Sequence, residues 1–179
     1  LTADEIAARL VALGIQSAGK PATAANLGDI QMVSLFGDKA KQLGDDDCAL
    51  FAALPKLRQA SFTNARIGKA CLVALAGAPG LTTLTLSTSE VETGAIAALA
   101  TAPAIDTLSF TDVKGLVPAD VGALAPLSRL RFFSIGFTMI PVGRTPWHDD
   151  RMLAEIAKLT GVQTMTISRV AAGPEGMAK

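Results

Sequence analysis

LTTLTLSTSEVETGAIAALA, residues 81–100, decides the fold. Leu81, Leu84 and Leu86 alternate as in a strand with one face buried. Val91 stands alone after them. Ile96 and Leu99 then fall on one side of a helix. One such unit cannot bury its own apolar edge, so it requires neighbours of the same kind.

The neighbours are present on both sides. Strand starts at Ile30, Leu57, Leu81, Ile105, Leu130 and Val162 are separated by 27, 24, 24, 25 and 32 residues. The fourth residue of each unit is Val33, Ala60, Leu84, Leu108, Phe133 or Met165. The sixth is Leu35, Phe62, Leu86, Phe110, Ile135 or Ile167. Nine residues before the next strand stand Cys48, Leu72, Ile96, Val121 and Leu153, and six before it Phe51, Leu75, Leu99, Leu124 and Ile156. Pro55, Pro79 and Pro103 sit two before the strand, where a helix must stop and the chain must turn. A period of 20–30 residues held through several columns predicts stacked repeats. Ahead of them, Thr2 and Glu5 form a capping box for a helix through Ile6, Leu10 and Leu13, ended by Gly14.

These residues resemble the leucine-rich repeat family, and above all its short bacterial repeats of about 24 residues with a G-A-L-A ending. The matching endings are Val73-Ala74-Leu75-Ala76, Ala97-Ala98-Leu99-Ala100 and Gly122-Ala123-Leu124-Ala125. The resemblance implies an α/β leucine-rich repeat solenoid: a parallel sheet of about six strands, short helices on the opposite side and an N-terminal capping helix. It implies a single domain over 1–179, with a cap at 1–29, repeats at 30–170 and a flexible tail at 171–179. It implies a non-catalytic module that binds another protein or peptide on its concave sheet. The family often places Asn, Cys or Thr three residues after the third strand leucine. Here those positions hold Asp38, Ala65, Ser89, Val113 and Thr138, so the bend is expected to rest mainly on packing.

Composition narrows the function. Sixteen basic and sixteen acidic residues cancel, the pI is about 6.8, and there is no basic stripe, which argues against nucleic acid. Zero net charge with a mean hydropathy of +0.40 gives little colloidal protection and suits a protein that lives in an assembly. No apolar run reaches the ~18 residues of a transmembrane helix. The chain starts without Met and shows no signal peptide, so it reads as processed or as a fragment. The compartment stays open, with an extracytoplasmic bacterial location favoured if a signal or anchor has been removed. A lone His, no paired acids and no glycine-rich phosphate loop leave no catalytic residues, metal ligands or cofactor site to assign.

Two regions are candidate partner sites. The strand residues facing away from the core form a hydroxyl column, Ser34, Ser61, Thr85, Ser109, Ser134 and Thr166, flanked by Met32, Phe36, Gln59 and Phe132. The column either solvates an exposed sheet or serves as a polar docking floor. The other region is the insertion at 136–150 in the longest unit, with Phe137, Arg144, Trp147 and His148. Trp147 and Arg144 are typical interface anchors. Alternatively, Thr145-Pro146 starts a helix and Trp147 covers its edge. The tail after Ile167 has no helical face, which predicts self-association or docking at the C-terminal end. Cys48 and Cys71 are off register by one helical position, and two packed thiols are expected rather than a bridge.

Overall fold

The computed structural model describes residues 1–138 and 150–168. Helix α1 (Ala3–Ala12) leads into a hairpin of β1 (Gln16–Ser17) and β2 (Lys20–Pro21). Strand β3 (Met32–Leu35) is followed by helices α2 (Gly37–Lys41) and α3 (Asp45–Ala52). Next come β4 (Gln59–Thr63), β5 (Arg66–Ile67) and α4 (Lys69–Ala76), then β6 (Thr83–Ser87) and β7 (Glu90–Val91). Residues Ile96–Thr101 form a 3-10 helix, tighter than the α-helix their spacing predicts. Strand β8 (Thr107–Thr111), helix α5 (Pro118–Gly122), strand β9 (Phe132–Gly136), helix α6 (Asp150–Ile156) and strand β10 (Thr164–Ser168) complete the order.

Six strands form one sheet in the order β10-β9-β8-β6-β4-β3, and every pair is parallel. Pairing begins two residues after each apolar start, so Ile30, Leu57 and Leu81 anchor the core just before the ladder. The register keeps the columns intact. Ala60 pairs with Leu84 and Leu84 with Leu108, while Phe62, Leu86 and Phe110 align one pleat further on. These side chains are at most 1% exposed and pack with Leu72, Leu75, Ile96 and Leu99 from the helical side. Leu10 and Leu13 of α1 join the same cluster, and Thr2 and Glu5 close the capping box that starts that helix.

Strands β3, β4, β6 and β8 each turn out of the sheet through a left-handed residue. Gly37, Asn64, Thr88 and Asp112 have φ of 61°, 63°, 47° and 53°. Such backbone is easy for Gly, tolerable for Asn and Asp, and costly for a β-branched Thr. The amides of Asn64, Thr88 and Asp112 donate to Ser87, Thr111 and Gly136 of the next strand. The chain then enters a second small parallel sheet of β5 and β7, extended by a bridge from Glu90 to Lys114. Packing alone does not hold this bend. Ser89 is buried; its Oγ accepts the Ala65 amide at 3.1 Å and donates to the Ser87 carbonyl at 2.8 Å. Thr138 donates through its amide and its hydroxyl to the Asp112 carboxylate. Only Ala65 and Val113 act there as apolar fillers.

Two long-range ties fix the first layers. Arg9 of α1 grips Asp47 of α3 with two bonds, Nε to Oδ1 at 2.6 Å and a terminal nitrogen to Oδ2 at 2.7 Å. Asp47 also accepts the Gly44 amide at 3.0 Å. Burial works to raise the Asp47 pKa, but the bonds from Arg9 and Gly44 outweigh it and hold the carboxyl below its ordinary value of 3.8. A lowered folded-state pKa stabilises the fold above the unfolded value, and that support is lost as pH falls through the folded one. Asp47→Asn is therefore expected to cost about 2 kcal/mol at neutral pH, since Arg9 remains partly solvated. The difference from wild type should stay level from neutral pH down to mild acid and shrink below 3.8, as read by urea unfolding across pH.

The second tie corrects the expectation of free thiols. Cys48 and Cys71 form a disulfide, with Cα atoms 5.0 Å apart. Helices α3 and α4 pack side by side. Across the seam between neighbouring helices, partners are residues on the facing flanks, not residues of one column. The offset of one position, about 100° around a helix, turns Cys71 away from the sheet-facing direction of Leu72 and toward α3.

Candidate functional site

The face of the main sheet away from the helices is the candidate site. Ser34 pairs with Ser61, Ser61 with Thr85, Thr85 with Ser109, Ser109 with Ser134 and Ser134 with Thr166. The hydroxyl column is thus continuous across the sheet. A column of Met32, Gln59, Thr83, Thr107, Phe132 and Thr164 runs beside it, and Thr63, Ser87, Thr111, Gly136 and Ser168 flank the other side. None of these residues is charged. Strands about 4.8 Å apart place Met32 and Phe132 roughly 19 Å from one another, with hydroxyls and Gln59 between them.

The candidate residues separate into three groups. Met32, Gln59 and Phe132 share one column, and the two apolar members are 55% and 48% exposed. Phe36 is 72% exposed and lies just past β3, where its extended backbone caps α2. Phe137 directly follows β9, at the position that Asp112, Thr88 and Asn64 occupy in earlier layers, and is half-buried. Arg144, Trp147 and His148 lie outside the described residues.

One depression adjoins this face and another lies past the strand ends. The first, of about 440 Å³, runs between the β1–β2 hairpin and β3, lined by Gln16, Ser17, Gln31, Met32 and Ser34 among others. It extends the Met32 end of the column. The turn that shapes it places Ala18 and Gly19 at φ of 49° and 77°. An Ala-Gly turn carries little advance sign of such a groove, because Asn-Gly is the usual signal. The other depression, about 490 Å³, lies where the strands bend, beside Lys41, Arg66, Glu90 and Lys114. There Arg66 pairs with Glu90 at 3.5 Å and both are solvated.

The chemistry available is recognition by hydrogen bonding and apolar contact. The three columns contain no group that titrates near neutrality. Among the described residues no set of three or more His, Cys, Asp or Glu is arranged to hold a metal ion, and no helix is long and apolar enough to cross a membrane.

No family model matches the sequence, and no curated protein matches it. Among solved structures, the chain is similar to an internalin C2 from Listeria monocytogenes. The identity is 16%, the match covers 92% of this chain and 93% of that one, and the TM-score is 0.43.

Proposed function

We propose that this chain is a non-catalytic binding module for another protein or peptide, used through the open sheet face and the 136–150 insertion. The observation that carries the reading is an uncharged hydroxyl floor with bare apolar side chains at Met32, Phe36 and Phe132. Exposed aromatics set in a polar surround are the usual anchors of interfaces. The whole chain is read as one leucine-rich repeat domain, with 1–29 as its N-terminal cap, 30–170 as a solenoid and 171–179 as a tail. The unbroken register of six strands supports this. Arg144, Trp147 and His148 are assigned to the same partner surface from sequence alone.

An uncharged floor recognises without electrostatic steering, so affinity should barely depend on salt. Peptides selected from a displayed random library against the immobilised chain provide the test. Phe132→Ser and Met32→Ser are expected to weaken them roughly tenfold each. Val73→Ser, on an exposed residue of α4, should leave binding unchanged. Binders indifferent to both face variants, or released by moderate salt, would sink this reading.

The alternative is a structural subunit of a larger bacterial complex, docked through its C-terminal end or the 136–150 loop. The exposure of Met165 on the last strand favours it. The Cys48–Cys71 bridge supports an extracytoplasmic location for either role, because disulfides persist in oxidising compartments and are rare in reducing ones.

A further inference from the structure

The last layer of the sheet differs from every layer inside it. Val121, Leu130, Phe133 and Ile135 are at most 2% exposed. Their equivalents one layer on are Leu153, Val162, Met165 and Ile167. Three of these are half-buried, and Met165 is 38% exposed. At the opposite edge Val33 and Leu35 of β3 are 0% and 1% exposed, because Leu10, Leu13 and Ile15 share their cluster. Among the described residues, strand β10 pairs with β9 alone and in unbroken one-to-one register. Over Thr164–Ser168 it has no charge, proline or bulge, the devices that keep sheet edges from pairing.

We propose that this edge is a homodimer interface, in which a second copy adds its own β10 antiparallel across a two-fold axis through Thr166. The strand's polarity selects that occupant. Thr164-Met165-Thr166-Ile167-Ser168 reads polar, apolar, polar, apolar, polar from either end. Centred on Thr166, antiparallel pairing sets Met165 against Ile167 of the second copy and Thr164 against its Ser168. Apolar side chains meet on the core face and hydroxyls on the open face. No charge is brought against another or left unpaired, so the two edges are electrostatically matched. Such an isologous contact closes on itself and leaves no edge of this kind exposed. Zero net charge and high mean hydropathy suit a chain with a permanent interface. The dimer does not depend on what the open face binds, and the peptide selection above is read separately.

Sedimentation equilibrium on the full chain should give twice the 18.4 kDa of one copy. Met165→Lys sits at an exposed position, so it should keep the wild-type circular dichroism while dimerising at least ~10-fold more weakly, with its melting transition lowered only through the lost association. Thr166→Cys tests the axis itself. Facing Cα atoms of an antiparallel pair are about 4.5–5.5 Å apart, within disulfide reach. Mild oxidation should therefore link two copies through Cys at 166. Ser61→Cys, in the same hydroxyl column but at an interior strand, should not crosslink. A chain that stays monomeric at high micromolar concentration overturns the proposal. So does crosslinking no faster at 166 than at 61, or a dimer that Met165→Lys leaves untouched.

Discussion

Gly115→Ala is expected to destabilise the protein by about 3 kcal/mol or more, the largest loss from adding a single methyl group. Gly115 follows the bridge from Glu90 to Lys114 and has φ of +84°. A Cβ there would lie 1.9 Å from the Val91 carbonyl oxygen, and backbone cannot swing aside as a side chain can. The strain of a left-handed Ala adds to the cost of driving two layers apart. Gly94→Ala provides the comparison. Its φ is +81°, yet nothing lies within 4 Å of the new atom, so it should lose only about 1 kcal/mol. Urea unfolding of both variants separates conformational strain from collision. Equal losses would show that the close approach to Val91 does not matter.

Opening the Cys48–Cys71 bridge should cost about 3 kcal/mol, the entropy of closing a loop of this length in the unfolded chain. The bridge spans 23 residues and joins the first two helical layers. Comparing oxidised protein with the Cys48→Ala, Cys71→Ala double variant measures it, because Ala leaves no polar atom in the buried seam. The denaturation midpoint should fall and the slope should rise slightly, since a chain without the crosslink exposes more surface. Thiol titration of the unreduced, denatured protein should find no free thiol, these being the only cysteines. Two free thiols per chain would remove both this prediction and the support the bridge gives to an extracytoplasmic location.

The sheet was legible in the sequence because strand registry is a spacing property. Counting from Leu81 to Leu84 and Leu86 defines the columns, and parallel pairing preserves them even across the 32-residue unit. The open-face columns follow from the same count by alternation, so Met32, Gln59 and Phe132 were placed together from spacing alone. What the count lacks is rotation. Residues ten before each strand, Asp47, Cys71, Ala95, Asp120 and Met152, are all buried, but the column alone does not say toward which neighbour each one turns. The disulfide lay hidden there. The Arg9–Asp47 pair was equally invisible, because two charges 38 residues apart carry no pairing signal in one sequence. The bend was half legible: Gly37, Asn64 and Asp112 are residues that accept left-handed backbone, whereas Thr88 is not. Strands as short as β5 and β7 leave no periodicity to find.

The constant register has a consequence for how chains of this kind change length over generations. Excising residues 81–104 would bring β4 beside β8 with every column matched, Ala60 to Leu108, Ser61 to Ser109 and Phe62 to Phe110. The fold would close over the gap, but the new seam would carry two defects. Ala65 would lose the Ser89 oxygen that accepts its amide, since Val113 has none to offer. Arg66 would face Lys114, now kept apart by Glu90. Whole units can therefore be gained or lost in one step, while the polar residues at each seam record which neighbours have adapted to one another.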